Sequence, residues 1–128
     1  MAGKFLLDTN VIIALFSGDK HVSERLAEAE VFVPSTALGE LYYGARKSSR
    51  AVENLARIEE FAAASRVLSC DAVTAWVYGD ARNRLHSKGR PIPENDLWIA
   101  AVAIQHGLTL VTRDDHFKEV ENLRRETW

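Results

Sequence analysis

The sequence predicts an α/β domain in which a central parallel sheet lies between layers of helices. Two observations predict this class. Short runs that are apolar at every position alternate with segments of helical periodicity, and such runs are typical of strands buried on both faces of a parallel sheet. The chain has 128 residues, of which 47% are hydrophobic, so it can bury one substantial core and is short for two domains. We therefore expect a single domain over residues 1–128.

The first half of the chain is predicted to form two strands and four helices. The run Phe5-Leu6-Leu7 ends at the polar Asp8, as a buried strand ends at a turn, and Pro34 ends the second strand. Apolar residues three and four positions apart predict the helices, and small polar residues before them are typical N-caps. In order, the elements are a strand at 5–7, a helix at 11–16 capped by Thr9 or Asn10, a helix at 21–30, a strand at 31–33, a helix from Ser35 or Thr36 to about residue 45, and a helix capped by Ser48 or Ser49 that reaches about residue 62.

Two further strands and two long helices are predicted in the second half of the chain. Asp71 is placed to cap the first of these helices, and Gly107 is placed to end the second. The second helix is apolar on nearly all sides, so we expect it to be buried. Two prolines mark the clearest loop, at 88–93. The predicted elements are a strand at 67–70, a helix from 72 to about 87, a helix at 96–106, a strand at 108–111, and then a short helix and an edge strand.

The charge balance and the cysteine content exclude several classes of protein. With 16 basic and 18 acidic side chains the formal charge is −2, which argues against a basic protein that coats nucleic acid and against a polybasic membrane binder. The single cysteine, Cys70, excludes an intrachain disulfide and a zinc site built from cysteines. The apolar runs are well short of the roughly 20 residues of a membrane helix, and the N-terminal apolar run is too short for a signal peptide. A reducing cytoplasm is therefore the expected compartment.

Acidic residues occupy the positions where a parallel sheet would place a ligand site. Asp8 follows the first predicted strand, and Asp114 and Asp115 follow the fourth. Asp96 and Glu40 lie beside apolar helical residues. The carboxyl ends of parallel strands meet at one edge of the sheet, where ligands bind in such folds. Carboxylates held together repel one another, and a divalent cation relieves this repulsion, magnesium being the best suited and manganese its substitute.

Each of these acidic residues also has an ordinary structural interpretation, which the sequence leaves open. Asp8 can cap a helix, and Asp96 can be a first-turn residue favoured by the helix dipole. Glu40 can be a solvated helical residue, and Asp114-Asp115 can form a turn. A metal site is favoured because the acidic residues lie at strand ends and beside apolar segments.

Four segments containing these acidic residues form a recognisable set. They are Leu6-Leu7-Asp8-Thr9-Asn10-Val11-Ile12, Pro34-Ser35 followed by Glu40-Leu41-Tyr42-Tyr43-Gly44-Ala45, Asn95-Asp96-Leu97-Trp98-Ile99-Ala100-Ala101, and Leu110-Val111-Thr112-Arg113-Asp114 with His116-Phe117. In order and spacing they resemble the PIN domain family, and most closely the VapC toxins of type II bacterial toxin–antitoxin systems. Any one motif is common by chance, whereas all four in order, across nearly the whole chain, are fairly specific.

The resemblance implies a three-layer α/β/α fold and a magnesium- or manganese-dependent endoribonuclease with an acidic pocket at the sheet edge. It implies hydrolysis of RNA (tRNA, rRNA or mRNA) to 5′-phosphate and 3′-hydroxyl ends. It also implies a homodimer and a cognate antitoxin that lays a segment across the toxin and places a basic side chain in the pocket. Position by position, the residues implied are Asp8, Glu40, Asp96 and Asp114 for catalysis and metal binding, and Asn10, Thr112 and Asp115 in supporting positions.

Basic side chains must hold the RNA near the site, because an acidic pocket repels a phosphate backbone. Ordinary surface positions are the alternative for every basic candidate. Tyr42 and Tyr43 are candidates for stacking on bases, whereas Trp98 lies in an apolar run and is expected in the core. The four histidines are expected at surface or capping positions, and His116 is the only one near the proposed site. The basic candidates for RNA binding are Arg46, Lys47, Arg82, Arg90 and Arg113.

Two other functions fit parts of the sequence. A signalling receiver domain also gathers aspartates and magnesium at a parallel sheet edge, and Asp71 follows the third predicted strand, where a receiver carries its phospho-accepting aspartate. The acidic pair that a receiver needs after its first strand is missing. A PIN scaffold that binds RNA without cleaving it is the second alternative, and the presence of all four acidic positions argues against it.

Overall fold

The fold is built on five parallel strands. They are β1 (Lys4–Leu7), β2 (Glu30–Pro34), β3 (Arg66–Leu68), β4 (Thr109–Val111) and β5 (Arg125–Glu126). The structure, a computed structural model that describes residues 3–128, arranges them in the order β3-β2-β1-β4-β5 with parallel pairing throughout. The predicted parallel sheet is confirmed.

The chain changes direction in the sheet at β1, the central strand. From β1 the chain builds β2 and β3 on one side, and it then crosses over to build β4 and β5 on the other side. Leu6 of β1 is in register with Phe32 of β2 and with Leu110 of β4. In an open α/β sheet, ligands bind beyond the carboxyl ends of the strands at such a reversal. Here those ends belong to β1 and β4.

Six α-helices and one 3-10 helix flank the sheet within the described residues. The α-helices are α1 (Thr9–Phe16), α2 (Lys20–Ala27), α3 (Ser35–Lys47), α4 (Ala51–Ala64), α5 (Ala72–Ser87) and α6 (Glu94–His106), and the 3-10 helix is Asp115–Glu119. α5 packs against α6, and α3 packs against α4. None of the helices between residues 3 and 128 is long and apolar enough to cross a membrane.

The predicted burial of α6 is confirmed. Ile99, Ala100 and Val102 are fully buried, as expected for a helix that is apolar on nearly all sides. The helix begins at Glu94, so Asp96 lies in its first turn, where the helix dipole favours a negative charge. The packing of α6 against the core therefore holds Asp96 in a fixed position.

Three of the four predicted N-caps are wrong, and the fourth is confirmed. Neither Ser35 nor Thr36 caps α3, because the helix already begins at Ser35 and has no side-chain cap. Asp8, rather than Thr9 or Asn10, caps α1 by accepting a hydrogen bond from the backbone N–H of Thr9. Ser48 does not cap α4, because its hydroxyl donates to a carbonyl at the end of α3 instead. Asp71 does cap α5, with Thr74 completing a capping box.

The boundary between α2 and β2 also differs from the prediction. The sequence predicts a helix that continues to residue 30, whereas α2 ends at Ala27. Glu30 instead begins β2, where it pairs with Lys4 of β1. Residue 30, which the local periodicity assigns to the helix, is therefore part of a strand, because pairing with β1 outweighs local helix propensity.

The C-terminal residues anchor the loop that follows β4. Trp128 is 5% exposed and packs edge-on against Phe5 with ring centroids 5.1 Å apart. Arg25 also contacts Trp128, with its guanidinium carbon 5.0 Å from the centre of the ring. Arg113 donates from Nε to the carbonyl oxygen of Trp128 at 3.1 Å. The loop that carries Asp114 is thus attached to the buried Trp128 through Arg113.

Replacing Gly107 by alanine is expected to lower the free energy of unfolding by about 1–2 kcal/mol. Gly107 ends α6 in the left-handed conformation with φ = 65°, which a residue with a Cβ adopts at a cost. Urea denaturation measures the change. Gly79→Ala is the matched control, because Gly79 lies within α5 and an added Cβ there would meet no atom within 4 Å. This control is expected to stabilise the protein by about 0.5–1 kcal/mol, and a destabilisation of similar size in both variants would contradict the backbone argument.

Candidate active site

Asp8 lies at the carboxyl end of β1 and is only 2% exposed. Both of its carboxylate oxygens accept hydrogen bonds. Oδ1 accepts from the backbone N–H of Thr9 at 2.8 Å, and Oδ2 accepts from the hydroxyl of Thr112 at 2.8 Å. Asp8 is therefore a helix cap and a member of the acidic site at the same time, and the two interpretations left open by the sequence are compatible.

Asn10 and Thr112, the predicted supporting residues, hold Asp114 beside Asp8. The Thr112 hydroxyl accepts from the backbone N–H of Asp114 at 3.0 Å, while it donates to Asp8. The Asn10 side-chain amide donates to Asp114 Oδ2 at 3.0 Å. Asp115, in contrast, is exposed and begins the 3-10 helix. The structure thus brings Asp114, and not Asp115, to the carboxyl ends of β1 and β4.

Asp96 contacts His116, the one histidine expected near the site. His116 Nε2 lies 2.5 Å from Asp96 Oδ2, and the side chain of Asp96 is 14% exposed. One ligand atom each from Asp96, Asp114 and His116 all lie within 4.8 Å of one another. His116 is partly exposed, as expected, but its contact with Asp96 was not predicted. Its place two residues after Asp114, on the loop after β4, was the available sequence signal.

Glu40, from α3, completes a group that we call the acidic cluster: Asp8, Glu40, Asp96 and Asp114. Glu40 is partly buried, and its Oε1 has no hydrogen-bond partner among the described residues. The nearby hydroxyl of Thr9 partly offsets the rise in the pKa of Glu40. A buried carboxylate oxygen without a donor is costly unless something outside the protein chain binds it.

Three members of the acidic cluster have raised pKa values. Burial is the main cause for Asp8, Glu40 and Asp96, because removal from water disfavours the charged form. The hydrogen bonds from Thr112 and Thr9 partly offset this rise in the pKa of Asp8, and His116 partly offsets it for Asp96. The neighbouring carboxylates raise each pKa further. The cluster is therefore held together against its own electrostatic repulsion.

The donor set of the acidic cluster fits a divalent cation. Four carboxylates supply hard oxygen ligands, which Mg²⁺ and Mn²⁺ prefer. Oε1 of Glu40, which has no hydrogen-bond partner in residues 3–128, is available for such an ion, and a cation would offset the repulsion that adds to the raised pKa values. An ion held here would lie where the topology of the sheet places a ligand.

The basic candidates for RNA binding divide into two groups. Arg46, Lys47 and Arg90 are exposed, without ion-pair partners among the described residues. Arg82 instead pairs with Glu94 at 3.2 Å, and Arg113 pairs with Asp19 at 2.8 Å. These two arginines already form ion pairs within the chain.

The aromatic candidates also divide. Trp98 is partly buried and stacks on Tyr78 with ring centroids 3.9 Å apart, and Tyr42 packs against the core. Tyr43 is 65% exposed. Of the three aromatic residues considered from the sequence, Tyr43 is therefore the one that presents its ring to solvent.

Together the fold and the site define a class of protein. A parallel α/β/α fold that gathers four carboxylates at the reversal point of its sheet, with a donor set suited to a divalent cation, is the arrangement of a metal-dependent nuclease. The comparison with known proteins agrees with this class. The chain matches the PIN domain family over residues 5–123.

Relatives and solved structures narrow the class. The chain is 40% identical to the tRNA(fMet)-specific endonuclease VapC of Shigella flexneri, over 98% of each chain. Its fold matches that of DNA-bound VapBC from Salmonella typhimurium with a TM-score of 0.91 and 36% identity, and that of VapBC2 from Rickettsia felis bound to a promoter DNA fragment with a TM-score of 0.90 and 30% identity. Each structural match covers 98% of both chains. The chain belongs to the PIN domain family and, within it, to the VapC ribonucleases.

This membership confirms the resemblance drawn from the sequence and removes the receiver-domain alternative. Asp71, which a receiver would phosphorylate, is engaged as the cap of α5 and also accepts a hydrogen bond from Gln105 at 2.9 Å. It follows β3, at the edge of the sheet, rather than β1 or β4.

Thr112→Val is expected to lower RNA cleavage about 10- to 100-fold, the usual effect of removing a group that orients a metal ligand. Valine keeps the shape of threonine but removes the hydroxyl that joins Asp8 to Asp114. The same change is expected to cost about 1.5–3 kcal/mol of stability, because a hydrogen bond to a charged group is lost. Cleavage rates and urea denaturation measure the two effects. Thr112→Ser, which keeps the hydroxyl, is the control, and equal activity of the valine and serine variants would contradict this role.

Proposed function

We propose that this chain is a divalent-metal-dependent endoribonuclease whose catalytic centre is the acidic cluster. The observation that carries the proposal is the convergence of four carboxylates from β1, α3, α6 and the loop after β4 on one edge of the sheet. We further propose that residues 1–128 act as a single domain. Magnesium is the proposed ion and manganese the alternative, because the ligands are carboxylate oxygens with one imidazole beside them.

The protein side chains have distinct roles in this proposal. A bound divalent cation supplies Lewis-acid activation of water and neutralises charge at the phosphate. Asp8, Asp96 and Asp114 would hold the ion, and Glu40 would contribute directly or through a water molecule. Asn10 and Thr112 keep the carboxylates of Asp114 and Asp8 in place before substrate arrives. This preorganisation means that little of the substrate's binding energy is needed to assemble the site.

A transfer RNA is the RNA substrate that we propose first. Relatives from Shigella flexneri and Salmonella typhimurium, which are 40% and 36% identical to this chain, are named as tRNA(fMet)-specific endonucleases. Other relatives are named only as ribonucleases, so ribosomal and messenger RNAs belong in the same assay. Hydrolysis is proposed to leave 5′-phosphate and 3′-hydroxyl ends.

A VapB-type antitoxin is the proposed protein partner. The matched structures from Salmonella typhimurium and Rickettsia felis are VapBC complexes. An apolar groove of about 380 Å³ lies between α1, α3 and α4 and ends at Glu40. Ile13 and Phe16 line it, and Ile13 is 50% exposed. An apolar antitoxin segment in this groove would deliver a basic side chain to the acidic cluster. The homodimer stays a prediction, which light scattering of the purified chain tests.

Sequencing of RNA ends tests the proposed function. Purified protein is incubated with total tRNA, rRNA and mRNA in Mg²⁺, in Mn²⁺ or in EDTA, and newly formed 5′-phosphate ends are mapped. We expect a small number of cut sites that depend on the metal and are absent with Asp8→Asn. Metal-independent cleavage, or equal cleavage by Asp8→Asn, would contradict the proposed centre.

A further inference from the structure

An open recess of about 470 Å³ adjoins Glu40 of the acidic cluster. Glu40 and Gly44 line both this recess and the apolar groove. Tyr43 and Lys47 of α3, Ser48, and Asn95 of α6 also line it. We call it the Tyr43 recess. Its lining carries a phenol, an ammonium group and a carboxamide.

Tyr43 presents an aromatic surface that the fold does not use. Its side chain is 65% exposed, and Lys47, one helical turn further on, places its ammonium group 5.0 Å from the centre of the ring. The ammonium group restrains the ring through a cation–π contact. An exposed aromatic face beside a cation is the combination that proteins use to stack a base and hold its phosphate.

Lys47 and Asn95 carry hydrogen-bonding groups without protein partners. Within residues 3–128, neither side chain forms a hydrogen bond or an ion pair, in contrast to Arg82 and Arg113. A carboxamide can donate to and accept from the edge of a base, and an ammonium group offsets the repulsion between an acidic site and a phosphate backbone.

The position of the Tyr43 recess beside the acidic cluster defines which nucleotide would reach the recess. Asn95 directly precedes Asp96 in the first turn of α6, and Glu40 is shared by the recess and the cluster. A phosphate at the cluster therefore has the recess immediately beside it. The next base along the strand is the group that would meet Tyr43.

We propose that the Tyr43 recess binds the nucleobase of a nucleotide adjacent to the scissile phosphate. Tyr43 stacks on the base, Asn95 hydrogen-bonds its edge, and Lys47 contacts the backbone phosphate. This inference rests on the proposed ribonuclease function and adds a base-binding subsite to it. Stacking accepts every base, so most of the affinity comes from Tyr43, while preference among bases comes from Asn95.

A series of short RNAs that each lack one base tests the subsite. The RNA carries the mapped cut site, and single abasic nucleotides are placed at each position around it. Wild-type protein is expected to lose about 5- to 150-fold in kcat/KM at one abasic position next to the cut, the loss that corresponds to one stacked base. Tyr43→Ala is expected to show a loss of similar size on intact RNA and no further loss at that abasic position.

Two variants control for indirect effects. Tyr43→Phe keeps the ring and is expected to keep the abasic sensitivity. Trp76→Ala removes another exposed aromatic side chain, 73% exposed on α5, and is expected to behave as wild type. If Tyr43→Ala retains the full sensitivity to the abasic position, the proposal is overturned.

A binding measurement separates this proposal from the proposed function. Asp96→Asn, alone and combined with Tyr43→Ala, is titrated with fluorescently labelled RNA that either carries the base or lacks it. We expect the combined variant to bind intact RNA at least about 5-fold more weakly and to lose the difference between the two RNAs. Absence of cleavage by wild type would refute the proposed function alone, whereas identical binding by both variants would refute the subsite alone.

Discussion

Asp96→Asn is expected to reduce metal-dependent RNA cleavage by about 10³-fold or more, because a charged ligand to a catalytic metal ion contributes several kcal/mol to transition-state stabilisation. Asparagine keeps the size of aspartate and can still bond to His116, so the fold is expected to remain intact. Single-turnover cleavage of the mapped RNA, together with circular dichroism, measures both effects. Full activity in purified Asp96→Asn would refute the assignment of this residue.

Two neighbouring aspartates provide a matched comparison for that experiment. Asp114 is bonded to Asn10 and Thr112, whereas the adjacent Asp115 is exposed. Asp114→Asn is expected to lose activity as Asp96→Asn does, and Asp115→Asn is expected to retain most of it. The reverse result would show that the loop after β4 presents Asp115 to the metal when RNA is bound.

The stability of the metal-free protein is expected to rise as the pH falls from 7 toward about 5. A carboxyl group whose pKa is raised by folding costs stability while it is charged, and this cost disappears as the pH falls through the raised pKa. Asp8, Glu40 and Asp96 all have raised pKa values, with burial as the main cause. The melting temperature in EDTA, measured at several pH values, is the test.

Two other carboxylates are expected to lower the stability as the pH falls, but only at lower pH. Asp19 and Asp71 have lowered pKa values, chiefly because of hydrogen bonds from Arg113 and from the backbone of Thr74, respectively. Their contribution is present above the ordinary pKa of aspartate, near 4, and is lost only below it. Between pH 7 and 5 the acidic cluster is therefore expected to dominate. A melting temperature that falls steadily over this range would contradict the prediction.

Adding Mg²⁺ at pH 7 is expected to stabilise the folded protein, as lowering the pH does. At about 100 times its dissociation constant, an ion that binds only the folded protein adds about 2.7 kcal/mol, which corresponds to a rise in melting temperature of roughly 5–15 °C for a chain of this size. Asp8→Asn combined with Asp96→Asn is the control, and it is expected to lose the Mg²⁺ effect and to keep only the part of the pH effect that comes from Glu40. A Mg²⁺ effect of unchanged size in this variant would locate the ion elsewhere.

Much of the candidate site could be predicted because several of its residues follow the ends of strands. Asp8 comes directly after β1 and Asp114 comes shortly after β4, and the carboxyl ends of parallel strands necessarily share one edge. Local order along the chain was therefore sufficient to predict the positions of these two residues. Asn10 and Thr112 were expected beside them through resemblance to a family, and the structure shows the hydrogen bonds that they make.

Other parts of the site could not be read from local order. His116 and Asp96 lie 20 residues apart and meet only because α6 and the loop after β4 pack together. The ion pairs of Arg113 with Asp19 and of Arg82 with Glu94 have the same origin, since the partners are distant in sequence. Pairing between polar side chains depends on where the backbone has already been placed by the core.

The sequence by itself determined the α/β class, the parallel sheet and the family, because apolar periodicity and the order of four motifs are properties of the chain alone. The tertiary structure decided which side chains act together. It made Asp8 both a helix cap and a member of the acidic cluster, placed Asp114 in a bond with Asn10, and left Glu40 Oε1 without a hydrogen-bond partner among residues 3–128. The physical reason is that burial and hydrogen bonding depend on distances between elements, and core packing sets those distances.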